Sequence, residues 1–414
     1  MIQAAYTFPS SFLWGTATAG HQVEGGDELS DWYTWEQMPG RILSGHVSGG
    51  ACEWWDGRWV EDFDRAARAH QNAHRLSVEW SRIEPSLAVW DDSAIDQYRT
   101  MIDGARKRGL EPMVTLNHFT LPQWLAERGS WTCEESVLWF ERYVRKVVSE
   151  LKDLVKIWIT INEPNVLIYG GYVSNEFPPG LKDIRSVAPV LRNLLRAHSA
   201  AYHAIHELDA QAQVGIAHHY RGFMPRNPAS IGDRWLVRFK NRNFNELFPQ
   251  ALINGHPHFL IWQDDIPQAR GTQDFFGLNY YTTEEVAMDW RNPLNSLKPG
   301  GYSQDADLSP SGFLANSPQG FWQALKWAHQ YQLPIYVTEN GTEDPDDGFR
   351  RNYLAQHLHQ LWKAVNFNWR IKGYFHWTLV DNFEWERGWT QQWGLWELDE
   401  QTQTRKKRPS ADFF

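Results

Sequence analysis

Short apolar runs rich in β-branched and aromatic residues recur along the chain, and longer stretches with helical spacing of apolar positions separate them. The runs lie at 12–19, 73–80, 111–119, 155–162, 212–219, 274–281, 334–340 and 373–380. Helical patterns fall at 59–70, 91–109, 134–151, 187–208, 321–331 and 350–365. The fifth connection, RWLVRFKNRNFNELFPQALING, mixes helical and turn signals. Alternation of short apolar strands with helices predicts a parallel sheet covered by helices. Eight repeats in 414 residues favour closure over an open doubly wound sheet. The expected fold is therefore α/β, a single (β/α)8 TIM barrel spanning 1–414 as one catalytic domain. The polar, loop-like segment 289–312 falls after the sixth strand, where barrels place loops of the substrate site.

Composition narrows the functional classes. Hydrophobic residues make up 42% and charged residues 22%, a globular profile with ample material for a core. A formal charge of −10 argues against a nucleic-acid or membrane-surface partner. The start MIQAAYTFPSSFLWG lacks the marks of a signal peptide, and no run of about 18 apolar residues occurs, so a cytoplasmic protein is expected. Cys52 and Cys133 are read as unpaired thiols in a reducing compartment. No GxGxxG or GxxxxGK[ST] follows a strand. The 24 tryptophans hint at carbohydrate, because indole faces stack on sugar C–H faces, although most will be structural.

Barrel chemistry sits at the C-terminal strand ends. Those ends offer His118 after the third run, Asn162 and Glu163 after the fourth, Asn279, Tyr280 and Tyr281 after the sixth, Glu339 and Asn340 after the seventh, and Trp377 on the eighth. Two glutamates distant in sequence would meet at one barrel mouth. Such a pair is what glycoside hydrolysis needs: one carboxylic acid beside the leaving oxygen, and one carboxylate that attacks the anomeric carbon or activates water. A separation of about 5 to 5.5 Å would mean retention and about 6.5 to 9.5 Å inversion. Pro164 predicts extended backbone at Glu163, continuing the strand. The histidines of HSAAYHAIHEL (198–208) and HHY (218–220) lack metal spacing and read as core or solvated side chains. DPDDG (344–348) reads as a polar turn and RKKR (405–408) as surface.

TINEP (160–164) and VTENG (337–341) resemble the acid/base and nucleophile motifs of family 1 glycoside hydrolases, the retaining β-glucosidases and β-galactosidases. The likeness extends through FLWGTATAGHQVEGG (12–26), HRLSVEWSRIEP (74–85), TLNHFTLPQWL (115–125), FFGLNYYT (275–282) and GYFHWTLVDNFEWERGW (373–389). It implies Glu163 as general acid and then base, and Glu339 as nucleophile. It places Gln22, His118, Asn162, Glu384 and Trp385 on the sugar of the first subsite, with Trp377 as its platform. Arg75 and Tyr281 match residues flanking the nucleophile, Asn279 belongs to the same supporting set, and a cis non-proline peptide is implied just after Trp377.

The expected activity is exo-acting hydrolysis of terminal β-D-glucosyl residues, with galactosyl and fucosyl residues also accepted, through a covalent glycosyl-enzyme. An endo-acting glycanase of a related barrel family and a catalytically inactive sugar-binding barrel are the alternatives. Surroundings that raise the Glu163 pKa and keep Glu339 ionised are expected. A carboxylate at Glu384 would repel 6-phosphorylated sugars. The expected partner is a small β-glycoside or short β-linked oligosaccharide, with no metal and no organic cofactor; a homo-oligomer is left open. The short stretch after VTENG and the fifth connection depart from the family pattern near the leaving-group rim.

Overall fold

The structure, a computed structural model, describes residues 7–414. Residues 1–6, which carry part of the signal-peptide expectation, lie outside the described residues. All eight expected strands form: β1 (Leu13–Ala17), β2 (Ala73–Ser77), β3 (Glu111–Thr115), β4 (Ile157–Asn162), β5 (Gln213–His219), β6 (Phe275–Asn279), β7 (Ile335–Asn340) and β8 (Ile371–Trp377). They pair in sequence order, and β1 closes the barrel against both β2 and β8. Every residue of β4 is buried, as helices outside and side chains inside the barrel require. Several runs overshoot their strands: 111–119 ends as a strand at Thr115. Beyond it Leu116 and Phe119 stay buried in the barrel mouth, so hydrophobicity outlasts the ladder.

The helices follow the same logic. They are α1 (Trp59–Arg68), α2 (Asp92–Lys107), α3 (Ser136–Leu151) and α4 (Val187–Leu208), then α5 (Ile231–Lys240) and α6 (Leu247–Asn254), then α7 (Pro318–His329) and α8 (Gly348–Asn366). In α2 the buried Ile95, Tyr98, Ile102 and Ala105 recur at helical spacing. Its N-cap Asp91 accepts from the Ser93 and Ala94 amides at 2.9 and 3.2 Å. The ambiguous fifth connection is α5 and α6 joined by a widened turn, Asn241–Asn245. Asn245 holds that turn by bonding the Arg221 amide and carbonyl.

One local expectation needs correction. RKKR is only half surface: Arg405 opens the short strand Arg405–Lys407 and turns inward, and Arg408, just past its end, turns inward as well. Arg405 reaches the buried Asp62, and Arg408 forms a two-pronged pair with Asp381 at 2.8 and 2.8 Å, while the two lysines face outward. DPDDG is the polar turn expected, with Pro345 and Asp346 exposed, while Asp344 and Asp347 are buried and engaged by Arg350. Among the described residues no helix is long and apolar enough to cross a membrane.

The Asp381–Arg408 pair fixes the loop after β8, since Asp381 also accepts from the Gly394 and Leu398 amides. Removing one partner strands the other as an unpaired buried charge. Asp381→Ala is therefore expected to cost about 3–5 kcal/mol. Calorimetry should show a melting temperature several degrees lower; an unchanged one would mean that the pair contributes nothing.

Candidate active site

The two glutamates stand where strand register breaks. β4 pairs regularly with β5 up to Ile159, shifts before Asn162, and releases Glu163; β7 shifts against both neighbours after Val337, around Glu339. Such irregularities re-aim side chains, here into the barrel mouth. Glu163 does not continue the strand as expected from Pro164. Its φ of 42° and ψ of 55° are left-handed, because Pro164 opens the helix Pro164–Ile168 and the chain must turn sharply into it. The turn is held by the Glu163 amide donating to Ala217 O at 2.8 Å. A non-glycine residue in this region costs about 1–3 kcal/mol and is tolerated when its surroundings fix it. The glycine of VTENG is a matter of space: a Cβ on Gly341 would lie 2.1 Å from the Trp377 carbonyl oxygen, so only glycine lets the end of β7 meet β8.

Arg75, fully buried on β2, spans the site. One terminal nitrogen donates to Glu339 Oε1 at 2.5 Å and to Thr338 O at 3.2 Å; the other donates to Asn162 Oδ1 at 2.6 Å. The Tyr281 hydroxyl donates to Glu339 Oε2 at 2.5 Å. Asn279 donates to Glu163 Oε1 at 2.8 Å and to Asn162 Oδ1 at 3.1 Å, and it is oriented by the Thr338 hydroxyl. Since Asn162 Oδ1 accepts twice, its amide nitrogen donates to His118 Nε2 at 3.0 Å. That assigns the proton to His118 Nδ1, which has no protein partner. Gln22 donates to Phe383 O and Glu384 Oε2, leaving its own Oε1 unpaired and buried. Trp377 Nε1 donates to Glu384 Oε2 at 3.2 Å. Buried polar atoms are normally bonded, so unpaired ones on residues beside a cavity mark where a ligand's hydroxyls fit.

Both glutamates, His118, Asn162, Tyr281, Trp377, Glu384 and Trp385 line one cavity of about 870 Å³. Arg75, Asn279 and Gln22 stand behind this lining and bond to it. The peptide Trp377–Thr378 is cis. Among the described residues no cluster of three or more His, Cys, Asp or Glu side chains is arranged to hold a metal ion.

The electrostatics reverse one expectation. Burial pushes Glu339 up to about 7, against the Arg75 charge and helped by the charge of Glu163. Burial also pushes Glu163 upward, but the His219 ring, Asn279 and Arg75 together take it below the ordinary carboxylate value. The anticipated order, Glu163 high and Glu339 low, omitted His219. Its Nδ1 lies 2.8 Å from Glu163 Oε1, so one hydrogen bond can hold its proton on either atom.

His219 is the site residue the sequence reading passed over, grouped with its neighbours as a decoy. His218 fits that description, stacked on Phe276 and bonded to Gln273. So does His198, between Thr160 and Thr272. The available signal was position: His219 ends β5, just as Asn162 ends β4 and Asn279 ends β6.

A parallel barrel with a buried carboxylate pair at its mouth suits the chemistry of a glycoside hydrolase. The model of glycosyl hydrolase family 1 matches residues 4–414. The chain is 32% identical to β-glucosidase A of Thermotoga maritima, covering 98% of this chain and 96% of that one. It is 31% identical to a β-galactosidase of Pyrococcus woesei, covering 98% and 95%. Among solved structures, a β-glycosidase from Pyrococcus horikoshii matches with a TM-score of 0.91 at 35% identity, covering 98% and 93%. A Thermotoga maritima β-glucosidase in complex with glucoimidazole matches with a TM-score of 0.93 at 32% identity, covering 99% and 98%. The chain belongs to glycosyl hydrolase family 1.

Glu384 gives this site a measurable signature. Burial pushes it up to about 8, opposed by the Trp377 and Gln22 donors. A carboxyl raised in the folded state binds more protons there than when unfolded, so its stabilising contribution is present at low pH and lost as pH rises from about 4.5 through about 8. The melting temperature should therefore fall between pH 5 and pH 8, and fall less steeply in Glu384→Gln. Equal slopes in scanning calorimetry would show that Glu384 titrates normally.

Proposed function

We propose that this protein is a retaining, exo-acting β-glycosidase that removes terminal β-D-glucosyl residues, and also galactosyl and fucosyl ones. The observation that carries the reading is the pair Glu163 and Glu339, buried at the mouth of one barrel and linked through Arg75, Asn162 and Asn279. Exo action is supported by the inner wall, where Gln22, Trp377 and Glu384 are joined by hydrogen bonds. Unpaired Cys52 and Cys133 support a reducing, cytoplasmic setting.

In this reading Glu339 attacks the anomeric carbon, with Arg75 and Tyr281 orienting its two oxygens. Glu163 delivers to the leaving oxygen the proton it shares with His219. Forming the glycosyl ester removes the charge of Glu339, which favours ionised Glu163, and the former acid then takes a proton from water. Asn162 retains one amide hydrogen for the sugar 2-OH, a contact that strengthens as positive charge develops on the ring. His118 Nδ1–H and Gln22 Oε1 supply a donor and an acceptor for other hydroxyls. Phosphate at the sugar's 6-position is disfavoured because Glu384 is bonded by neutral donors, with no cation among them.

Glu339→Gly should lower turnover of aryl β-glucosides by roughly four orders of magnitude. Proton NMR of early product from the parent enzyme should show the β anomer; α anomer appearing first would mean inversion and overturn the nucleophile assignment.

His219→Asn gives a sharper test. Asparagine keeps a polar group but cannot carry the positive charge that lowers Glu163. Because Glu163 lies low and Glu339 is raised to about 7, the acidic limb of the kcat/KM profile follows Glu163 and should move upward by about one pH unit, while the basic limb, governed by Glu339, moves little. An unmoved acidic limb would remove His219 from the mechanism.

A further inference from the structure

The cavity continues outward from Glu163, and its chemistry changes. The His219 ring meets the edge of Phe244 at 6.1 Å, and Phe244 in turn lies edge-on to Tyr169 and to Phe223, each at 6.3 Å. This aromatic series lies on the side where the leaving group must depart. The charged side chains among these rings have protein partners, and only Arg221 among them keeps a buried nitrogen, Nε, unpaired. Arg221 pairs with Glu284 at 3.0 Å and its guanidinium covers Phe244; Glu284 also accepts from the Gly300 amide. Lys240 donates to Lys298 O at 2.5 Å with its ammonium over Phe223.

Exposed apolar side chains join the lining as well, beside polar ones such as Asn243, Ser311 and Thr390. Leu260, Leu297 and Phe313 line the cavity and are 39%, 42% and 37% exposed. Leu260 begins the tip of a small hairpin, His258–Phe259 with Trp262–Gln263, and the adjoining Ile261 is 99% exposed. Leu260 has a φ of 53°. Glycine or asparagine is the ordinary choice for a left-handed surface position, so leucine there conflicts with local preference, as happens where function overrides it.

We propose that the leaving-group half of this cavity binds an apolar aglycone, an alkyl chain or aryl ring, in preference to further sugar residues. The inference rests on the β-glycosidase reading and adds its substrate class. A second or third sugar would bring many hydroxyls against aromatic and aliphatic walls whose polar neighbours are for the most part engaged elsewhere, and a buried hydroxyl without a partner is unfavourable. A hydrocarbon chain gains with each methylene it buries.

The test uses the full chain with n-butyl, n-hexyl and n-octyl β-D-glucosides below their micellar concentrations, against cellobiose, cellotriose and cellotetraose. An aryl β-glucoside serves as the reference. Leaving-group acidity is nearly constant along the alkyl series, so a trend reports binding. We expect kcat/KM to rise by about two- to fourfold per added methylene, the upper value equivalent to roughly 0.8 kcal/mol. The cello-oligosaccharide series should stay flat or decline. In the double variant Leu260→Asn/Leu297→Asn, kcat/KM for octyl glucoside should fall about tenfold relative to that for butyl glucoside, flattening the alkyl series. Asparagine suits the backbone at 260, so this variant should fold. A flat alkyl series, or cellotetraose outpacing octyl glucoside, overturns the inference while turnover of the aryl glucoside leaves the β-glycosidase reading standing. No turnover of any β-glucoside overturns both.

Discussion

The Arg75 guanidinium is the constraint on which the site depends. It lies fully buried inside the barrel, where a lone cation would be prohibitively costly, and it is tolerated because each of its nitrogens has a fixed acceptor. Those acceptors belong to β3, β4 and β7, so one planar group on β2 registers four strands against one another. A lysine could neutralise Glu339 but could not reach Asn162 in the same plane. Orientation of Asn162, and through it of His118, is thus a consequence of the same fork that sets Glu339. The two glutamates are not independent loop residues but ends of one hydrogen-bonded lattice.

Around that lattice, local strain and local charge are arranged together. Glu163 is left-handed and buried, and its carboxyl is positioned by His219 and Asn279 rather than by the strand it follows. Glu339 is held by Arg75 and Tyr281 yet remains raised by burial and by its partner's charge. Neither environment alone explains a defined acid and a defined nucleophile. The assignment comes from coupling: a proton shared with His219 on one side, a cation and a phenol on the other, and a mutual repulsion that vanishes when Glu339 becomes an ester.

Much of the barrel was legible because its signal is local. All eight strands and most helices follow from apolar periodicity, and the glutamates follow from asking what stands at strand ends. The inner site was legible for a different reason: TINEP, VTENG and the β8 segment keep their chemistry in contiguous runs. The misses share a cause in tertiary geometry. The backbone of Glu163 was misjudged because the proline rule describes one dipeptide, whereas the following helix dictates the turn. Arg405 and Arg408 were misplaced because four basic residues look solvated until the fold brings two of them against the buried Asp62 and Asp381. His219 was dismissed because its importance lies in a contact 56 positions away in sequence.

The outer cavity marks where sequence legibility ends, and for a physical reason. The sugar end is specified by hydrogen bonds, which demand particular side chains at particular atoms and so leave recognisable strings. The leaving-group end is specified by apolar area, which many residues can supply from unrelated segments. Here it draws on the fifth connection, the hairpin beyond α6, and the loop after β6 whose polar composition concealed Leu297 and Phe313. Composition said that loop was polar; structure selects which of its residues face inward. Directional chemistry is therefore readable from motifs, whereas non-directional burial is readable only once the chain is folded.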